Sequence, residues 1–427
     1  MKKLRLALSA LALLAAALAF PLHAPAQVVA IRAGQLVDPA AASITPNAII
    51  LVEGGKITAV GPASSVAIPS NAQVVDLSKR TVMPGFFDVH THLCLNLKTQ
   101  GGAGLYALLH SLLAATAIET TAYRSIEGVS NALDMLRSGF TTVRDVGNAG
   151  NYADTALRRA IEDGLVPGPT VVNAGRIITP YGGQYHGIPP ERADIGIPEY
   201  LYADTPDEMR KAVRENVTFG AKVIKIVVDD QPYLYSADDV RILVKEAAAA
   251  GLKVAAHCGT DAGSRIAAEG GVASVEHAYR ATNPTLELMK AKGTYLVGTD
   301  FTRQASHEMG MDEYHDWVID RLKRAYQIGV PVAFGTDVCF VKDGETRGTL
   351  SIEFITSFVE AGVKPAQILQ AMTTNAAKLM GMEKERGTIA VGYAADIVAT
   401  PENPLQNIDT VRHVNFVMKA GRVVRND

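Results

Sequence analysis

The segment His90-Thr91-His92 sets two imidazoles two residues apart, with Asp88 two residues before the first. Successive side chains of an extended strand alternate between faces, so all three share one side. Two imidazoles side by side can share a divalent metal, although strand histidines also serve as ordinary core or surface residues. Lys225, His257, His277 and Asp337 extend the set. Donors of these types are candidate ligands for one or two divalent cations. Lys225 is the unusual member, because it lies inside Val223-Ile224-Lys225-Ile226-Val227-Val228, where a charged ammonium is costly to bury. It could snorkel or pair with Asp229. The reading we prefer is that desolvation depresses its pKa and the neutral amine adds CO₂, giving a carbamate with two oxygens suited to bridging two cations. Lys222, at the entry of the same strand, is read as surface.

Short apolar strands must position these groups. They run from Met83 to Leu93 and over Thr141-Arg144, Thr170-Ala174, Val223-Val228, Lys253-His257, Ala273-His277, Thr294-Val297 and Val330-Phe334, which makes eight. Helical patterns at Asp207 to Phe219, Ser236 to Ala250 with Ser236 as N-cap, Asp312 to Ile328 and Leu350 to Ala361 separate them. Alternating strands and helices of this kind predict an α/β fold, a (β/α)₈ TIM barrel whose strands are buried on both sides. Such a barrel builds its site at the strand C-terminal ends. The candidate ligands fall there: His90 and His92 end strand one, Lys225 lies in strand four, His257 ends strand five, His277 ends strand six, and Asp337 follows strand eight. From Val28 to Val82, and again after Gly387, the chain reads as short strands and turns, which predicts a small β-sandwich domain formed from both ends of the mature chain. The expected division is a signal peptide over 1–26, β domain over 27–83, barrel over 84–384 and β domain again over 385–427.

The 427 residues, 48% hydrophobic and 20% charged, suffice for one large barrel or two domains. A net charge of −3, with no basic run interleaved with aromatics, argues against a nucleic-acid partner. Lys2, Lys3 and Arg5 precede an apolar run from Leu6 to Leu22 and the small residues Ala24-Pro25-Ala26. This is the grammar of a signal peptide cleaved after Ala26, so a periplasmic or secreted protein is expected. No later apolar stretch reaches the roughly 18 residues of a membrane span. Cys94, Cys258 and Cys339 are too few for a disulfide framework, and each is read as a small buried hydrophobe. The connection from Cys94 to Arg124 is longer than a usual βα loop, and its apolar Leu105-Leu113 segment is expected to cover the site or to bury itself against a neighbouring subunit of a homo-oligomer.

With His90-Thr91-His92, Lys225, His257, His277 and Asp337 in this order between the two halves of a split β domain, the chain resembles the amidohydrolase superfamily. The segments Gly220-Lys225, Val275-Glu276-His277, Asn375-Gly381 and Gly392-Val398 are similar to its exported Xaa-Pro dipeptidase-like branch, which in turn resembles the ochratoxin-hydrolysing amidases. The resemblance implies two divalent metal ions, zinc before cobalt, manganese or iron. His90, His92 and Asp337 would hold the first and His257 and His277 the second, with carbamylated Lys225 and a hydroxide bridging both. Asp337 would pass the water's proton to the departing amine, and Asp88, one layer deeper, would support the site without ligating.

The implied activity is that of a dipeptidase or carboxypeptidase-like amidohydrolase, cleaving the C-terminal amide of dipeptides or N-acyl amino acids. A cyclic-amide hydrolase or deaminase on the same barrel is the alternative. A barrel that only binds ligands is disfavoured by the full ligand set. For the substrate, His186 in the glycine-rich loop Thr179-Gly187 is a candidate for a carboxylate or oxyanion, or else structural. Tyr233 and Tyr235 could donate to the tetrahedral intermediate. Tyr279 and Arg280 stand just beyond a ligand, where many relatives are expected to carry a glycine-containing turn. Arg144-Asp145 is read as a structural ion pair.

Overall fold

The computed structural model describes residues 27–98, 104–185 and 188–427; the expected signal peptide and His186 lie outside the described residues. The chain opens with β1 (Val29–Asp38), β2 (Ser43–Glu53), β3 (Lys56–Pro62) and β4 (Gln73–Pro84). A middle series follows: β5 (Phe86–Thr91), β6 (Leu97–Lys98), β7 (Phe140–Asp145), β8 (Thr170–Asn173), β9 (Ile177–Thr179) and β10 (Tyr200–Tyr202). It continues with β11 (Ile224–Val227), β12 (Val254–Cys258), β13 (Ser274–His277), β14 (Tyr295–Val297) and β15 (Phe340–Val341). β16 (Ile397–Thr400), β17 (Phe416–Lys419) and β18 (Arg422–Asn426) close it.

Both ends of the chain meet in one seven-stranded sheet of order β18-β17-β16-β4-β1-β2-β3. Strand alternation gives it two apolar faces. Ile397, Ala399, Phe416, Ile31 and Ile50 form a core belonging to the sheet itself, whereas Val398, Val417 and Met83 turn to the main core. The expected sandwich is corrected here. β1 pairs with β4 and β4 with β16, so hydrogen bonds run continuously where a sandwich would have a gap between sheets. The edge strand β3 also returns to the segment before β16, through Ile57 N–H to the Tyr393 carbonyl at 2.9 Å and Gly392 N–H to the Ile57 carbonyl at 2.8 Å. One sheet has curled around its own side chains.

The middle strands are parallel, and every residue of β5, β7 and β11 is buried, polar ones included, as in a parallel sheet covered on both faces. β5-β7-β8 form one sheet and β10-β9-β11-β12-β13-β14 another. The Lys222 and Val223 amides donate to the Asn173 carbonyl and so join β8 to the entry of β11. Beyond β14, Leu296 bridges Val332, and Val89 N–H donates to the Phe334 carbonyl at 2.9 Å, returning the circuit to β5. Two expected strands differ in detail. Strand three is broken into β8 and β9 around Gly175, whose φ of +72° puts it in the left-handed region. Strand eight is a single bridge at Val332, because the chain there turns toward Asp337.

Helices lie between these strands at Pro206–Thr218, Ala237–Ala249 and Asp312–Ile328, close to their expected bounds. Ser236 accepts from Asp239 N–H and the Asp239 carboxylate answers at Ser236, a reciprocal cap. The expected helix Leu350 to Ala361 divides into Arg347–Ile352 and Ile355–Glu360. The long connection after β6 forms the helices Gly104–Ile118 and Thr121–Arg137. Among the described residues no helix is long and apolar enough to cross a membrane.

Asp396 ties the curled sheet together at its centre. Its carboxylate accepts from Lys419 Nζ and Ala420 N–H, each at 2.8 Å, and from Arg386. Burial, only partly offset by Asp396, brings the Lys419 pKa down to about 8. Asp396→Ala strands that cation, and the expected cost is about 3 kcal/mol in denaturant unfolding. An unchanged midpoint would show that the network adds nothing to the sheet.

Candidate functional site

A cavity of about 500 Å³ opens at the C-terminal ends of the parallel strands, and His90, His92, Lys225, His257, His277 and Asp337 all line it. The imidazoles are nested: ring centroids are 5.3 Å apart for His90 and His92, 4.9 Å for His90 and His277, and 4.4 Å for His257 and His277. Asp337 Oδ1 stands 3.1 Å from His92 Nε2 and 3.6 Å from His90 Nε2. Ligand atoms of His90, His277 and Asp337 lie within 4.8 Å of one another, as do those of Asp229, Asp230 and His257.

The backbone is strained where these groups sit. His277, Ala278, Thr299 and Asp337 have φ of +67°, +50°, +47° and +60°, a region most side chains avoid. At Gly335 a Cβ would come within 2.8 Å of the His90 Cβ, so only glycine lets the chain pass and bring Asp337 N–H to the His90 carbonyl at 2.8 Å.

Each imidazole has one ring nitrogen engaged by a hydrogen-bond partner. His92 Nδ1 meets the Gly147 carbonyl at 2.7 Å, His277 Nδ1 meets Thr299 Oγ1 at 2.8 Å, and His257 Nε2 meets Asp230 Oδ1 at 2.8 Å. His90 Nδ1 meets Glu276 Oε2 at 2.7 Å. Such partners fix ring orientation and leave the other nitrogen for a ligand. Behind Glu276 stands Arg144, with Nη2 2.8 Å from Oε1, Nε donating to the Val89 carbonyl and Nη1 to Ser274 Oγ. The expected Arg144-Asp145 pair is therefore corrected. Adjacent residues of β7 point to opposite faces, so Arg144 reaches Glu276 while Asp145 accepts from Leu93 N–H at 2.5 Å. Burial and the nearby Asp154 push the Asp145 carboxyl up to about 7.

Sequence reasoning gave no site role to Glu276, Asp230 or Thr299. The first two are carboxylates directly beside a ligand or a strand end, and that adjacency was the available signal.

Protonation follows from burial. Lys225 is buried, which lowers its pKa, and among the described residues its Nζ finds no hydrogen-bond partner. Burial and the Lys225 charge bring His90 down to about 4. For Asp337 burial acts upward, but His90, His92 and Lys225 outweigh it and hold the carboxyl at about 2. Asp88 behaves as the expected support: burial raises it to about 7, and it accepts from Thr336 Oγ1 at 2.7 Å and from the His90 amide at 3.1 Å.

The substrate candidates divide. Tyr235 is turned away, its hydroxyl donating to the Ala203 carbonyl at 2.7 Å, and Tyr233 is half exposed with its hydroxyl on the Tyr181 carbonyl. Neither lines the cavity, because Ser236 immediately starts a capped helix and carries the preceding residues off the strand end. Tyr279 and Arg280 do line it, the Tyr279 hydroxyl 3.2 Å from His277 Nδ1. Gln184, in the loop that contains His186, also reaches it and donates to Asp230 at 2.6 Å. Leu109 and Leu112 of the helix Gly104–Ile118 face the cavity, so the long connection covers the site. Phe301, Met309, Met311 and Tyr314 make further apolar wall. Cys94 and Cys258 are buried and free, while Cys339 is half-buried and faces the cavity.

The profile of the amidohydrolase family matches residues 81–424. The chain belongs to that family. As an amidohydrolase it shares a mixed α/β fold and hydrolysis of amide or related C–N bonds with its relatives. Ochratoxinase of Aspergillus niger is 29% identical over 94% of this chain and 87% of its own length. Imidazolonepropionase of Symbiobacterium thermophilum is 27% identical over 94% of this chain and 96% of its own. The solved structure of a Xaa-Pro dipeptidase with methionine bound in its active site aligns with a TM-score of 0.79 at 26% identity, over 94% of this chain and all of that one. Amidohydrolases are typically metal-dependent, and the nested imidazoles are a donor set for such ions. Glu276→Gln, which weakens the grip on His90, is therefore expected to lower zinc affinity about 10- to 100-fold in competition with a chelator. Unaltered affinity would detach Glu276 from the site.

Proposed function

We propose that this amidohydrolase cleaves the C-terminal amide of dipeptides or N-acyl amino acids with the help of two divalent cations. The observation that carries the reading is Lys225, a buried amine without a partner beside imidazoles and a carboxylate that share its cavity. A neutral amine of that kind reacts with CO₂, losing a proton to give an anionic carbamate, and the anion relieves what is otherwise an orphaned polar atom. The donor set fits a metal centre: neutral imidazoles with one nitrogen fixed, and an ionised carboxylate. In this reading His90, His92 and Asp337 would hold one cation and His257 and His277 a second, with carbamylated Lys225 as a donor to the pair. Zinc suits these donors, and a cation bound there would supply Lewis acidity toward the scissile carbonyl and an acidified water.

The chain's own groups do the rest. Asp337, ionised at neutral pH, accepts the water's proton and delivers it to the leaving nitrogen, which would otherwise depart as a poor amide anion. Tyr279, against the cavity, is the hydroxyl best located to donate to the developing oxyanion, in place of Tyr235. Leu109 and Leu112 keep water from the substrate's flank.

The likeness to a Xaa-Pro dipeptidase and to an ochratoxinase favours an open-chain amide. The likeness to imidazolonepropionase supports the rival, a cyclic-amide hydrolase or deaminase. The same proposal reads the closed circuit of parallel strands as a (β/α)₈ barrel over 84–384, with 27–83 and 385–427 as its β domain. It also retains export after cleavage at Ala26 and a homo-oligomer.

Metal-reconstituted protein from Gln27 onward, screened on N-acyl amino acids, dipeptides and cyclic amides, tests the substrate class. Chelator-sensitive release of free C-terminal amino acids is expected; ring opening or ammonia release alone would favour the rival. Lys225→Ala is expected to lose metal and activity, with part of the activity restored by formate, acetate or propionate standing in for the carbamate. Full activity without additives would remove the carbamate. Asp337→Asn is expected to keep the fold while turnover falls by about 10²-fold or more, and near-normal rates would exclude it as the proton carrier.

A further inference from the structure

Resting on the amide-hydrolase reading, we infer that Arg280 is the group that binds the free carboxylate of the substrate. The turn after β13 makes this possible. His277 and Ala278 are both left-handed, so the chain reverses sharply and Tyr279 and Arg280 return to the cavity that His277 faces. The Arg280 guanidinium lies 4.0 Å from the centre of the Trp317 ring. Trp317 packs on Tyr314 at 4.7 Å, and Tyr314 on Tyr279 at 5.1 Å, so an aromatic file runs from the imidazole cluster to the guanidinium. The contact with the ring restrains the guanidinium, and a restrained guanidinium is pre-organised for a carboxylate.

The electrostatics of the wall agree. Arg280 and Lys225 are the Arg and Lys side chains that line the cavity among the described residues. Lys225 belongs to the candidate metal donors, which leaves the Arg280 guanidinium as the cation on that wall for a ligand to meet. The acids of the same wall are already engaged. Asp229 accepts from the amides of Gly259 and Thr260 and from Thr260 Oγ1, and Asp230 contacts His257 and Gln184. No carboxylate among the described residues forms an ion pair with Arg280, so a ligand carboxylate displaces no internal partner. The substrate class this selects is an amide carrying a free carboxylate on the amino-acid side and an apolar group for the surrounding Tyr314 and Met309.

Trp317 is the single tryptophan of the sequence, which supplies a readout independent of turnover. L-Phenylalanine, a product carrying the carboxylate, is expected to change its fluorescence saturably, whereas L-phenylalaninol, which lacks it, is not; Arg280→Met abolishes the response. Equal responses to both, or a response that survives Arg280→Met, would overturn the assignment. In parallel, kinetics are compared on N-benzoyl-L-phenylalanine and on its C-terminal amide. Arg280→Met is expected to raise KM for the acid about 10- to 100-fold with little change in kcat, and to leave the amide unaffected, with Arg280→Lys intermediate. Equal losses on both substrates would also overturn it. A wild-type protein that cleaves neither compound, nor any other acyclic amide, would refute the amide-hydrolase reading, while the fluorescence arm would still decide the carboxylate site.

Discussion

An amine buried without a partner is the constraint around which this protein is arranged. Lys225 sits in a strand whose neighbours are all apolar and buried, and no side chain among those described satisfies its Nζ. A group of that kind is tolerated only where something else completes it. Everything near it is consistent with that need: four imidazoles and a carboxylate share its cavity, and each imidazole is already committed at one nitrogen. The low dielectric that makes the bare amine costly also strengthens every charge interaction around it. Asp337 keeps its charge despite burial for that reason.

Holding such a cluster takes a second layer. Arg144 reaches from β7 to Glu276 on β13, and Glu276 in turn orients His90 on β5, so one ionic chain stitches three strands behind a single imidazole. Left-handed residues at His277, Thr299 and Asp337 turn the chain at strand ends and aim side chains inward. Such conformations persist only when the surrounding packing over-determines them. The buried parallel strands and the curled sheet, closed by β3 and pinned by Asp396, supply that rigidity.

The cavity is divided. Its floor is polar and strained, and built from strand ends; its walls are apolar and come from the helix Gly104–Ile118, the segment around Met309 and the turn carrying Tyr279 and Arg280. That division suits a family in which the scaffold is shared and the substrate is chosen by loops. The relatives range from an ochratoxinase to an imidazolonepropionase at similar identity, so overall likeness alone does not choose between open-chain and cyclic amides.

What the sequence determined by itself is local. Period-two alternation puts His90 and His92 on one face, hydrophobic runs announce the parallel strands, and Ser236 with Asp239 marks a helix start; each depends only on neighbours along the chain. The convergence of Lys225, His257, His277 and Asp337 was legible because strand ends are places that a βα repeat defines in advance. Tertiary structure decided the rest. Arg144 finds Glu276, 132 residues away, and not the adjacent Asp145. Tyr235 turns to Ala203 and leaves the site, while Arg280 stays in it by lying on Trp317. Two sheets became one because β4 accepts β1 on one edge and β16 on the other. These outcomes depend on which segments become neighbours across hundreds of residues, and periodicity along a chain carries no information about that.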